Sequence, residues 1–282
     1  MAIVVPPLST LIDRAAAPAW PLPPALAEWY GGPLGFPTPS GRPHVIANFV
    51  STLDGVVSYA IPGRAGGGPI SGNNVPDRFI MGLLRACADA VVVGAGTVRS
   101  MRRDHAVTPG YIFPPATDEY AALRRMLGKP PQPVTVIVTA RGDLDLGAAA
   151  VRAPDVPVLI VTTDAGAARL AQAGAPPAAV AVHAAGPGPE VPAAAILAAL
   201  GEVLPASLVL TEGGPRLMGT FLAGGALDEL FLTIAPQIAG RAGDSVRPSF
   251  VEGLAFTPER APWGRLLSAK SAGDHLYLRY AL

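Results

Sequence analysis

The 282-residue chain predicts an α/β protein whose mixed sheet is mostly parallel and is finished by antiparallel C-terminal strands. Three observations predict this. Apolar, largely β-branched runs at Ala90–Val93, Val134–Val138, Val158–Val161 and Leu208–Leu210 alternate with helical segments, the pattern of parallel strands buried on both faces. Two of these runs end in a glycine pair and a helix start, Gly94-Ala95-Gly96-Thr97 and Glu212-Gly213-Gly214-Pro215. The tail then changes rhythm: Glu229–Ile234, Arg265–Ala269 and His275–Tyr280 read as strands with no helix between them.

Taken in order, residues 1–40 read as an irregular arm, because prolines at 6, 7, 18, 21, 23, 24, 33, 37 and 39 block long elements. Pro24–Tyr30 suits a short helix, and Trp20, Trp29 and Tyr30 are apolar anchors that would pack the arm on the body. Residues 41–282 read as one domain. Its first strand, Val45–Val50, ends at the polar turn Ser51-Thr52-Leu53-Asp54-Gly55, and glycine-rich residues 63–68 form a loop. Asn73 or Asn74 caps a helix through Ala86, with Phe79, Ile80, Leu83 and Leu84 on one face. A short helix starts at Thr97 and runs to about Met101, then a long loop and a helix near 117–127 follow. Beyond the strands at 134 and 158, Asp164–Ala173 is a helix, Ala179–Val182 a strand and Pro192–Leu204 a helix. Pro215–Leu222 is a helix that begins on proline, where a missing N–H costs nothing.

Composition narrows the function. Half the residues are hydrophobic and 15% charged, so a sizeable core is available, though much of it is alanine. Net charge is zero, and the densest basic cluster, Arg99, Arg102 and Arg103, sits beside Asp104; nucleic acid is not an expected partner. The start lacks a basic region, proline interrupts its apolar run, and no stretch suits a bilayer; neither a secretory signal nor a membrane span is expected. Cys87 is the single cysteine and the histidines at 44, 105, 183 and 275 are scattered. That excludes an intrachain disulfide, a structural zinc site and a zinc deaminase, and it fits a reducing cytoplasm.

In open α/β sheets ligands bind at the carboxyl ends of strands. Gly94 and Gly96 let backbone N–H groups approach a phosphate, and Thr97 can cap the helix or bind that phosphate; a turn serving packing alone is the other reading. Gly213 and Gly214 would admit a pyrophosphate, while Glu212 either binds amide and amino groups of a heterocycle or complements the helix N-terminus. Asp54 precedes glycine in an ordinary turn pair but shares the same sheet edge. Arg85 reads as a surface or phosphate-binding arginine. Thr139 and Arg141 follow a strand where they would hold a ribose 2′-phosphate or serve as plain loop residues.

Three segments together carry a resemblance: Ala47–Gly55, Leu84–Arg99 and Thr211–Leu217, continued by Leu227–Leu230 and Ala235–Gly240. In order and spacing they resemble the RibD C-terminal domain, the pyrimidine reductase domain family of riboflavin biosynthesis. The resemblance implies a dihydrofolate-reductase-like three-layer fold, NADPH as cofactor, a homodimer, and reduction of a 5-amino-6-(5-phosphoribosylamino)uracil-type substrate. By motif position Val50, Ser71, Thr97, Thr139 and the turn Gly214-Pro215-Arg216-Leu217-Met218 would contact NADPH, joined by Gly94, Gly96, Arg141 and Gly213. Arg85 and Glu212 would face the substrate, and Asp54 and Glu212 would orient it or relay a proton. Where the family commonly continues with Asp-Asp-Pro, this chain has Ser100-Met101-Arg102-Arg103. That departure keeps two alternatives in view: a dihydrofolate or pterin reductase, and an NADPH-binding protein without catalysis.

Overall fold

Strands β1 (Ser9–Asp13), β2 (His44–Ser51), β3 (Ala90–Gly94), β4 (Val134–Thr139), β5 (Val158–Thr162), β6 (Val180–Ala184), β7 (Leu208–Thr211), β8 (Glu229–Ile234), β9 (Arg265–Ala272) and β10 (His275–Ala281) form one sheet. Their order is β1-β9-β10-β8-β2-β7-β3-β4-β5-β6. The computed structural model describes residues 5–61, 64–100, 104–174, 176–177, 179–243 and 245–282. Every pair from β8 through β2 to β6 is parallel, and β1, β9, β10 and β8 pair antiparallel. The expected mixed sheet is the one that forms.

Strand alternation divides the core into two layers. On β3, Val91 and Val93 join a cluster with Phe79, Leu83 and Leu84 of the helix Val75–Cys87. Ala90 and Val92 face the other way, toward Ile196 and Leu200 of the helix Ala193–Val203 and Phe221 of the helix Pro215–Ala223. Each such valine or leucine, taken wholly out of water, contributes about 1.5–3 kcal/mol. Helices on both faces are what allow the sheet to be apolar on both.

The helix Val75–Cys87 is fixed at both ends. Asn74, not Asn73, is its cap, accepting from the Asp77 N–H; Asn73 takes a left-handed φ of 55° just before it. At the other end Arg124 donates Nη1 to the carbonyls of Ala86 at 3.1 Å and Ala88 at 2.7 Å. Those carbonyls have no partner within the helix, so a buried arginine supplies one.

The amino-terminal arm differs from its expected irregularity. Ser9–Asp13 is an edge strand, with Ser9 opposite Ser271 and Asp13 opposite Ser268 on β9. Lys270 Nζ donates to Thr10 Oγ1 at 2.7 Å and to the Gly31 carbonyl at 3.0 Å, joining strand, arm and sheet. The helix Pro24–Tyr30 forms as expected, and it buries Leu26 and Tyr30. Other differences are smaller. A helix Gly68–Ser71 starts within the expected loop, the helix after β3 begins at Ala95 rather than Thr97, and Pro109–Ile112 adds a turn to the long loop. Met101, Arg102 and Arg103 lie outside the described residues. Among the described residues no helix is long and apolar enough to cross a membrane.

Candidate cofactor and substrate site

Strands β3 and β7 are parallel neighbours, so the glycine turns that follow them emerge at the same edge. They face one another: a Cβ built on Gly214 would lie 3.6 Å from Thr97 Oγ1. Between them opens a cleft of about 920 Å³, lined by Gly94, Gly96 and Thr97 on one side and Gly214, Pro215, Arg216 and Leu217 on the other. Thr139 and Arg141, at the end of β4, complete its floor.

The cleft suits an anion. Gly214 caps the helix Pro215–Ala223 without any side-chain cap, so the first-turn N–H groups remain open to a ligand at the positive end of the helix dipole. Arg99, Arg141 and Arg216 also line it. Arg99 is engaged with Asp143, donating to its carbonyl at 2.7 Å. Neither Arg141 nor Arg216 makes an ion pair among the described residues.

The Arg141 loop is held by its backbone. Thr163 Oγ1 donates to the Ala140 carbonyl at 2.7 Å. Gly142, at φ 65°, passes so near the helix Asp164–Ala173 that a Cβ there would lie 2.2 Å from the Gly166 carbonyl oxygen. Only glycine fits both the left-handed angle and the approach. Space, open backbone donors and two uncommitted arginines fit a pyridine dinucleotide phosphate.

Other expected site residues lie apart from this cleft. Val50 packs with Val56, Ile70 and Ala235 in a small apolar cluster at the end of β2. Ser71 is buried, donating Oγ to the Gly68 carbonyl at 3.3 Å. Gly213 is buried and a Cβ there would lie 2.4 Å from Leu217 Cδ2, so it serves close packing of turn on helix. Met218 points into the apolar layer and has no exposed surface, because it lies on the sheet-facing side of its helix. Its side chain therefore does not reach the cleft.

Arg85 and Glu212 meet each other. Arg85 Nε lies 3.0 Å from Glu212 Oε1 and Nη2 lies 2.7 Å from Oε2, while Nη1 donates to the Thr108 carbonyl at 3.1 Å. Arg85 is thus neither a surface arginine nor free for phosphate in this arrangement. Asp54 is equally occupied. Its carboxylate accepts from Thr52 Oγ1 and from the backbone N–H groups of Ala239 at 3.1 Å and Gly240 at 2.7 Å. These bonds, the Thr52 hydroxyl foremost, hold the carboxyl at about 2 against an ordinary 3.8. At neutral pH it carries no proton to give.

The cleft also takes residues that the sequence did not single out: Ser58 and Ala65 from the loop after β2, Glu190 and Val191 before the helix Ala193–Val203, and Glu252 and Leu254 from the segment between β8 and β9. These belong to irregular loops, where no periodicity marks a residue for a site.

The RibD C-terminal domain family model matches residues 43–258. In structure the chain is similar to a pyrimidine reductase-like protein from Corynebacterium diphtheriae, at 23% identity and TM-score 0.64 over 85% of this chain and 92% of that one. It is similar to RibD of Acinetobacter baumannii at 22% identity and TM-score 0.61, over 86% of this chain and 58% of that one. A diaminohydroxyphosphoribosylaminopyrimidine deaminase/5-amino-6-(5-phosphoribosylamino)uracil reductase from Thermotoga maritima gives 22% identity and TM-score 0.60, over 85% of this chain and 56% of that one. The chain thus spans little more than half the length of these last two proteins. At such identities the likeness is one of fold. A search of curated proteins finds no match. With the match running from the start of β2 past the end of β8, the chain belongs to the RibD C-terminal domain family.

Proposed function

We propose that the protein is an NADPH-dependent reductase that delivers hydride to a pyrimidine-type substrate, in the manner of a 5-amino-6-(5-phosphoribosylamino)uracil reductase. One observation carries the reading: Thr97 and Gly214, from turns far apart in the chain, face each other across one arginine-lined cleft. Family membership supports it, as does the reductase activity named for the Thermotoga maritima neighbour.

The backbone at Gly94, Gly96 and Gly214, with the N–H groups of Arg216 and Leu217, would hold the pyrophosphate; Thr139 and Arg141 would take the ribose 2′-phosphate. NADPH, when bound, supplies the hydride. The protein's part is alignment and exclusion of water. The bidentate contact from Arg85 fixes the orientation of Glu212 at the end of β7, where its remaining lone pairs can accept N–H groups of a pyrimidine. Asp54 acts by holding the turn after β2 against Ala239 and Gly240. We place the enzyme in the cytoplasm, consistent with a free, buried Cys87. We also assign it a homodimer, because residues 255–265 are exposed throughout and carry Trp263 at 90% exposure.

The commitment of Arg85 and Glu212 to each other favours one second reading, a protein that binds NADPH without reducing a substrate. Titration of NADPH by fluorescence, followed by turnover with the phosphoribosylaminopyrimidine and with dihydrofolate, decides among these. Binding with turnover of the pyrimidine supports the proposal, and turnover of dihydrofolate alone replaces the substrate. Binding without turnover selects the second reading, and no binding removes both.

A further inference from the structure

Residues 248–254, between β8 and β9, form one wall of the cleft through Pro248, Glu252, Gly253 and Leu254. This wall is fastened at both ends. At its start the Val57 N–H donates to the Pro248 carbonyl at 3.0 Å, and Phe250 meets Phe49 of β2 edge-on, ring centroids 4.8 Å apart. At its end the Glu252 N–H donates to the Pro215 carbonyl at 3.2 Å. The helix Pro215–Ala223 admits this approach because Gly219, one turn on, has no side chain. A Cβ there would lie 2.9 Å from the Glu252 carbonyl oxygen. Glu252 is thus seated on the first turns of the helix whose N-terminal N–H groups are open.

Its side chain is half engaged. Oε1 accepts from the Ser249 N–H at 2.8 Å and lies 3.0 Å from Ser249 Oγ, whose proton is shared with the Val251 carbonyl at 2.9 Å. Among the described residues Oε2 makes no hydrogen bond or ion pair, and the residue keeps partial contact with solvent. A carboxylate beside the pyrophosphate end of the cleft repels phosphate and favours only a hydrogen-bond donor. In a dinucleotide the donors next to the pyrophosphate are the ribose hydroxyls, which carboxylates hold in other dinucleotide-binding folds.

Sheet order decides which ribose. Thr139 and Arg141, assigned above to the 2′-phosphate of the adenosine half, follow β4. The Glu252 wall is fastened instead to Phe49 on β2 and to Val57 beyond it. Strands β7 and β3 lie between β2 and β4, so about 14 Å separates the two sides. We propose that Glu252, through Oε2, binds the hydroxyl pair of the nicotinamide-side ribose of NADPH. The inference rests on the NADPH reading of the cleft given above and deepens it.

Calorimetric titration tests it with NADPH, with 2′-phospho-ADP-ribose, which keeps the second ribose, and with 2′-phosphoadenosine 5′-diphosphate, which ends at the pyrophosphate. Glu252→Ala is expected to weaken NADPH and 2′-phospho-ADP-ribose about tenfold or more, because it removes charge-assisted bonds. The shorter compound should bind unchanged or more tightly, since it has no second ribose to lose. Glu252→Gln keeps an acceptor for the Ser249 N–H, and it should show the same selectivity with a smaller loss. An equal loss for the shorter compound would show that Glu252 only supports the wall. NADPH affinity at or above the wild-type value in Glu252→Ala would show that the carboxylate meets no hydroxyl. Either result overturns the assignment alone. A wild-type protein that binds none of these compounds overturns the NADPH reading and this assignment with it.

Discussion

Arg85 and Glu212 stand 127 residues apart in the chain and close a bidentate ion pair, with side chains 0% and 4% exposed. Burying either charge alone is costly, and only good geometry with a further acceptor, the Thr108 carbonyl, offsets that cost. The pair therefore locks the last turn of the sheet-facing helix to the end of β7, where the second glycine turn begins.

Removing one member should be much worse than removing both. Arg85→Ala is expected to lower stability by about 3–5 kcal/mol, because it leaves a buried carboxylate without its partner. Arg85→Met combined with Glu212→Leu should recover most of that loss. Urea unfolding of the wild type and the two variants measures this. An Arg85→Ala protein within about 1 kcal/mol of wild type would mean that the pair is open in solution.

This pair also shows how far the sequence could be read. Periodicity placed the helix Val75–Cys87 and narrowed its cap to Asn73 or Asn74, and β-branched runs placed β3, β4, β5 and β7 to within a residue or two. Those signals are local, arising from which side chains face a buried layer. What Arg85 touches is not local, so one sequence cannot separate a surface arginine from half of a buried pair. Ser9–Asp13 failed for a related reason. Four of its five residues are exposed, and its partner β9 lies more than 250 residues away, so pairing rather than apolar alternation makes it a strand. The two glycine turns were legible because a glycine pair between a buried strand and a helix start is itself a local pattern.

Asp54 should make stability depend on pH at the acid end. Its folded carboxyl is depressed to about 2 from 3.8, so its contribution is fully present above the unfolded value and is lost as pH falls toward about 2. The urea midpoint of the wild type should therefore drop more steeply than that of Asp54→Asn over this window. Parallel curves for the two proteins would show that the bonds from Thr52, Ala239 and Gly240 do not favour the charged form.

Trp263 is the test of self-association. A tryptophan at 90% exposure, with Phe256 at 37% on the same exposed segment, leaves aromatic surface that a second copy would cover. Trp263→Ser should weaken the dimer at least about tenfold while leaving NADPH affinity unchanged, as read by sedimentation velocity and fluorescence titration. A wild-type protein that sediments as a monomer at every concentration disposes of the dimer.

Arg141 should set the choice between the two nicotinamide cofactors. It lines the cleft beside Thr139 without an ion pair among the described residues, so its charge is open to a 2′-phosphate. Arg141→Ala is expected to weaken NADPH about 10–100-fold and to leave NADH nearly unchanged, since a charge-assisted hydrogen bond contributes about 1.5–3 kcal/mol. An equal loss for both cofactors would place this arginine on the pyrophosphate instead.

Gly142 should matter for the same reason at one remove. Its backbone lies against Gly166, and a Cβ would come within 2.2 Å of the Gly166 carbonyl oxygen at a φ of 65°. The helix Asp164–Ala173 cannot give way easily, because Thr163 both caps it and bonds the Ala140 carbonyl. Gly142→Ala is therefore relieved by moving the loop that carries Arg141. Alanine at this angle is strained by about 1–3 kcal/mol, and a loop that shifts to relieve it gives up a comparable part of its contact with the cofactor, so NADPH should weaken about tenfold. The loss should largely vanish when Arg141→Ala is already present, since the two changes act through the same contact. Full additivity in that double-mutant cycle would show that the glycine contact supports the fold without placing the arginine.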